Sequence, residues 1–148
     1  MIFITKNSTE TKKLGEKLAK HFLAFTNRPI ILALQGDLGG GKTTFLQGFV
    51  KGLGIKEKIT SPTFVILKRF QLNNLTIKQF NNFYHFDCYR IDKPEDILSL
   101  GFKEIITNSQ NIVAIEWSEK IQKILPKDAI KIKFEFINQN TRKIAVKS

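Results

Sequence analysis

Gly36-Asp37-Leu38-Gly39-Gly40-Gly41-Lys42-Thr43 meets the spacing G-x-x-x-x-G-K-[ST] at every required position. The chemistry of such a segment is the cradling of a polyphosphate. Consecutive backbone N–H groups turn inward, and residues without side chains let the main chain come close to phosphate oxygens. Gly36, Gly39, Gly40 and Gly41 allow that approach, while Asp37 and Leu38 complete the turn. A helix beginning at Thr43 and Thr44 would add its free N-terminal amides and the positive end of its dipole. Lys42 is then placed to bridge the β- and γ-phosphates of a nucleotide, and the Thr43 hydroxyl to ligate Mg²⁺.

Binding alone needs no more, but hydrolysis or transfer needs acids near the γ-phosphate, at the carboxyl ends of neighbouring strands. Glu116 ends the apolar run Ile112–Ile115, where a Walker B carboxylate would hold Mg²⁺ directly or through water. Asp87 ends Phe83-Tyr84-His85-Phe86 and is placed to orient or deprotonate an attacking water. A helix or turn cap after a strand is the competing reading of each acid. Ser61-Pro62-Thr63 reads either as a mobile segment whose hydroxyl senses γ-phosphate and metal or as a plain Ser-Pro turn. His85 reads as a strand residue and Cys88 as a small core residue, neither with a catalytic role. Trp117 suits the core or the edge of a nucleotide pocket.

The elements that must position these groups follow from the hydrophobic pattern. Ile30–Leu34 is a strand buried on both faces, and Phe45, Phe49, Val50 and Leu53 share a stripe of the helix after the loop, which Gly54 stops. Ile2–Ile4 reads as a first strand, and Leu14, Leu18, Phe22 and Phe25 keep helical spacing over about Thr9–Thr26. Phe64–Phe70 and Gln79–Phe86 read as an antiparallel pair about the polar turn Gln71–Leu75, Pro94-Glu95-Asp96 opens a short helix, and Asn111–Glu116 is another buried strand. Ser118–Leu125 reads as a helix stopped by Pro126, followed by a half-exposed strand over Ile130–Phe136 and a closing one over Arg142–Lys147. The fold expected is α/β: a three-layer P-loop NTPase-like domain with a mixed, mainly parallel central sheet and an antiparallel hairpin, one domain over residues 1–148.

Composition narrows the setting. With 148 residues, 42% of them hydrophobic, the chain suffices for one core and is too short for two ordinary domains. A lone cysteine excludes an intrachain disulfide framework, and no Cys/His spacing would hold zinc. With no signal peptide and no apolar run of the roughly 20 residues that cross a bilayer, the expectation is a cytoplasmic protein with no membrane partner. The formal charge of +11 is mostly lysine spread along the chain, which speaks for solubility before it speaks for RNA.

Taken together, GDLGGGKTTF (Gly36–Phe45), SPTF (Ser61–Phe64), HFDCYR (His85–Arg90), Glu95, Gly101-Phe102-Lys103-Glu104 and IEW (Ile115–Trp117) resemble the bacterial TsaE (YjeE) family in order and spacing. These are small P-loop ATPases needed to make the N6-threonylcarbamoyladenosine beside tRNA anticodons. The resemblance covers almost the whole chain. It implies a Mg²⁺-dependent ATPase, weak by itself, that works with the TsaB–TsaD pair and whose ATP hydrolysis resets that transferase, with tRNA met indirectly through the complex. It further implies Thr43 and Glu116 as Mg²⁺ ligands, Asp87 as the catalytic acid, Thr63 as the γ-phosphate sensor, and Thr11 and Arg142 as adenine contacts. Gly40 stands where the family often has Ala, and Cys88 where Leu is more usual.

Two rival readings stand beside this one. A small-molecule or nucleotide kinase shares the loop but usually adds an Arg-rich lid. Only Arg28, Arg69, Arg90 and Arg142 are present, well separated. A nucleotide-gated RNA-binding module would use the positive charge and aromatics such as Phe80, Phe83 and Tyr84 to stack bases, although these residues also suit the packing of a sheet.

Overall fold

Asn7 starts the first helix by accepting the Glu10 N–H at 2.8 Å, and Glu10 returns its carboxylate to the Lys6 N–H at 2.6 Å. This reciprocal cap satisfies donors that a helix start leaves open. The computed structural model describes residues 1–26, 28–59, 66–72 and 79–148. Strand β1 (Ile2–Thr5) leads into α1 (Ser8–Phe25), whose buried stripe runs through Leu14, Leu18 and Phe22. Strand β2 (Ile30–Gly36) enters the glycine loop and α2 (Lys42–Gly52) leaves it. Then come β3 (Leu67–Gln71), β4 (Asn82–Asp87), α3 (Glu95–Leu98), α4 (Phe102–Thr107), β5 (Asn111–Glu116), β6 (Ile130–Phe136) and β7 (Arg142–Lys147).

The described strands form one sheet in the order β1-β7-β6-β2-β5-β4-β3. Pairings β6/β2, β2/β5 and β5/β4 are parallel; β1/β7, β7/β6 and β4/β3 are antiparallel. The sheet is therefore mixed, as expected, with a parallel centre of four strands and antiparallel flanks of equal weight. Short connections enforce the flanks: five residues join β6 to β7, too few for a crossover.

Helices cover both faces. Ile30, Leu32 and Leu34 point into a core shared with α1 and α2, while Ile31 and Ala33 point into a second core with α3, α4 and Ile121. Alternation along β2 makes this possible, because a strand buried on both sides needs apolar residues at every position. Helices α1 and α2 approach until backbone meets backbone. A Cβ at Gly48 would lie 1.8 Å from the Lys12 carbonyl oxygen, and one at Gly15 would lie 2.2 Å from that of Phe45.

Three local readings change. The strand expected over Phe64–Phe70 runs from Leu67 to Gln71 and pairs antiparallel with β4 as expected, while Phe64 and Val65 lie outside the described residues. Ser118–Ile124 is a 3-10 helix with a break at Ile121, where φ is -124°. Helix α4 was not anticipated; its six residues are too few for the periodicity test, though Gly101, left-handed at φ 81°, marks its start.

Candidate functional site

The segment between β2 and α2 turns on three left-handed glycines, Gly36, Gly39 (φ 77°) and Gly41. Gly36 has φ 135° and lies so close to β6 that a Cβ would sit 2.1 Å from the Phe134 carbonyl oxygen. Gly41, φ 98°, is the N-cap of α2 and accepts the first helical hydrogen bond, from Phe45 N–H at 2.8 Å. Lys42 folds back over this loop. Its ammonium donates to the carbonyls of Gly36 at 2.6 Å and Asp37 at 2.9 Å and lies 3.9 Å from the centre of the Trp117 ring. Burial lowers the Lys42 pKa, against the pull of Glu119, Glu116, Asp37 and Asp87.

The parallel register of β4 and β5 sets Asp87 beside Glu116, and that of β2 and β5 sets Leu34 beside Glu116. Both acids thus emerge at the carboxyl ends of central strands, on the α2 side of the sheet. Glu116 is buried and uses both oxygens: Oε1 accepts the Thr43 hydroxyl at 3.0 Å, and Oε2 lies 2.7 Å from His85 Nε2. Asp87 accepts the Tyr89 N–H at 2.8 Å. Burial raises the Asp87 pKa, partly offset by the Tyr89 amide; Glu116 raises it further, and His85 and Lys42 oppose. One ligand atom from each of His85, Asp87 and Glu116 lies within 4.8 Å of the others. The Thr43 hydroxyl and the Glu116 carboxylate are hard oxygen donors side by side, the set that suits Mg²⁺.

Helix α1 and strand β7 make the third wall. Thr11 Cγ2 and Arg142 Cγ would each lie 3.7 Å from a Cβ on Gly41. Arg142 Nε donates to the Gly39 carbonyl at 2.8 Å, and its Nη1 to that of Asn138 at 2.7 Å, pinning the loop to the β6–β7 turn. The cavity so enclosed measures about 750 Å³; Leu38, Gly39, Gly40, Gly41, Lys42, Thr43 and Thr44 line it, with Thr11, Asp87, Glu116 and Arg142. Asp37 is not in that lining and contributes its carbonyl to Lys42. Thr63, with Ser61 and Pro62, lies outside the described residues.

Two residues were given too little weight in the sequence. His85 is bonded to the central acid, and a signal existed: His85 and Asp87 alternate on one face of one strand. Trp117 packs under Lys42 and has φ 58°, the only left-handed non-glycine residue described. No sequence pattern foretells that. Cys88 does match its reading as a core residue, being fully buried with its thiol pKa pushed up to about 12, chiefly by burial. Phe80 and Phe83 are core residues too, 1% and 0% exposed, so they cannot stack bases.

A phosphate-loop motif joining a central strand to a helix, whose first hydroxyl meets a carboxylate on the next parallel strand, defines the class: an α/β protein with an acid-completed glycine-loop site. Within that class the relationship is specific. The model of the threonylcarbamoyl adenosine biosynthesis protein TsaE family matches residues 5–144, and this chain belongs to that family. The tRNA threonylcarbamoyladenosine biosynthesis protein TsaE of Rickettsia felis is 39% identical over 142 residues, which cover 95% of this chain and 76% of that protein. Its counterpart in Bacillus subtilis is 38% identical over 141 residues, covering 95% and 80%. The crystal structure of Bacillus subtilis YdiB superposes with a TM-score of 0.72 at 30% identity, covering 99% of this chain and 83% of that one. No described helix is long and apolar enough to cross a membrane.

Proposed function

We propose that this chain is a Mg²⁺-dependent ATPase of N6-threonylcarbamoyladenosine synthesis that hydrolyses ATP in complex with a TsaB–TsaD pair and so resets the transferase that modifies tRNA. The observation that carries the reading is the 3.0 Å contact between Thr43 Oγ1 and Glu116 Oε1 at the mouth of the glycine loop. It joins the loop to an acid at the strand end where nucleotide hydrolases need one.

Each residue then has a task. The amides of Gly39, Gly40 and Gly41 and the start of α2 bind phosphate oxygens, and Lys42 leaves its carbonyls to meet the β- and γ-phosphates. Thr43 and Glu116 would hold Mg²⁺, which when bound neutralises charge on the phosphate oxygens. Asp87 orients the attacking water, and its raised pKa brings it closer to the range of an effective base. Thr11 and Arg142, on the far side of the loop, would meet the adenine end.

The test is ATP hydrolysis with Mg²⁺, measured with and without the TsaB–TsaD pair and tRNA. Slow turnover alone, acceleration by the pair, and loss of both in Lys42→Ala and Asp87→Ala are expected. Transfer of phosphoryl to a metabolite instead of water, or calorimetry showing no adenosine nucleotide bound alone or in the complex, would overturn the assignment.

A further inference from the structure

The helices leave part of the sheet bare. On the face opposite α1, α3, α4 and the 3-10 helix cover the centre of the sheet, while the outward side chains of β6, β7 and β1 meet solvent. Those outward positions are Lys131, Lys133 and Glu135 on β6, Lys143, Ala145 and Lys147 on β7, and Ile2 and Ile4 on β1. Four of the eight are lysines and one is acidic. Glu135 lies 3.7 Å from Lys143, whereas Lys131, Lys133 and Lys147 make no ion pair with a described residue.

Register sharpens the point, because Lys131 pairs directly with Lys147 across the two strands. Like charges placed opposite each other destabilise a sheet, so a bare pair of this kind is a cost in the free protein that a polyanion would relieve. Lysines two apart on a strand are about 6.6 Å apart, and neighbouring strands about 4.8 Å. The face therefore carries three lysines, unpaired among the described residues, in a regular array beside the Glu135–Lys143 pair, complementary in sign to a phosphodiester chain. Ile2 and Ile4, 65% and 54% exposed, border the array and offer apolar contact to sugars or bases.

We propose that this β6–β7–β1 face docks the phosphodiester backbone of a folded RNA, directly and without sequence readout. It is separate from the glycine-loop cavity, since none of the eight residues lines it. The choice of tRNA as the RNA rests on the function proposed above; the docking itself does not.

The test is binding of labelled bulk tRNA to the full chain without nucleotide, between about 50 and 200 mM salt, for the wild type and the variant K131Q/K133Q/K147Q. The variant should bind at least about tenfold more weakly at low salt and lose about one unit of salt slope per lysine removed. ATP turnover should be unchanged, and thermal melting should hold or rise, since the repulsive pair is gone. The variant K13Q/K17Q/K56Q removes the same charge from exposed positions elsewhere and should bind nearly as the wild type does. An equal loss in both triple variants, or wild-type binding in K131Q/K133Q/K147Q, overturns the proposal. So does binding to polyglutamate or phosphatidylserine vesicles as tight as that to tRNA. If tRNA binds in this way while ATP is not hydrolysed, the docking face stands and only the function proposed above falls.

Discussion

Glu116 ties the start of α2 to the neighbouring strand through both carboxylate oxygens, and the residues around it predict different failures. His85 is 7% exposed and its ring nitrogen holds Oε2, leaving Oε1 to Thr43. Replacing His85 with Ala leaves a buried carboxylate oxygen without its partner, which should cost about 1–3 kcal/mol of stability. It should also lower kcat more than it raises KM, as steady-state kinetics and denaturant melts would register together. Asp87→Asn isolates the cost of a buried charge. The native Asp87 pKa lies above the ordinary value of 3.8, so the folded state binds more protons than the unfolded one and loses stability as pH rises through that window. The amide escapes this loss. Asp87→Asn should therefore melt above the wild type at neutral pH and converge with it in acid, while ATP turnover disappears. Trp117 gives a direct optical readout: nucleotide that draws Lys42 off its ring, now 3.9 Å away, should change the emission of the single tryptophan.

At the scale of elements, helices α1 and α2 act as one body because their backbones touch. Gly48→Ala forces a methyl against the Lys12 carbonyl, where the gap is 1.8 Å, and should cost about 1–3 kcal/mol or more. It should also raise the KM for ATP, because Thr11 and Gly41 ride on those two helices. Equal melting temperatures for mutant and wild type would refute the close contact. Much of this architecture was legible in the chain. Ile30–Leu34 and Asn111–Glu116 announced buried strands by unbroken apolar runs, and the glycine spacing announced the loop between them. Strand order was not legible, because no local pattern says that β6 inserts between β2 and β7. His85 was only half legible: its sharing a face with Asp87 is a local signal, but its role comes from Glu116, 31 residues away in the chain and on the neighbouring strand. The break at Ile121 and the left-handed Trp117 are likewise imposed by tertiary packing, against local preference.

For the whole molecule, the cavity is walled by α1, the loop, α2, the ends of β4 and β5, and the β6–β7 turn, so a ligand there ties distant parts of the chain together. ATP with Mg²⁺ at about a hundred times its Kd should add about 2.7 kcal/mol, a rise in Tm of roughly 5–10 °C for a domain this size. Scanning calorimetry at several nucleotide concentrations would measure it, and no shift would mean no binding to the folded state. The posture of Lys42 carries a last implication. Its ammonium is lodged on two carbonyls of its own loop, so the main cation of the cavity is held by the very backbone that a polyphosphate would approach. Under the function proposed above, a triphosphate would have to compete with those two carbonyls for the ammonium.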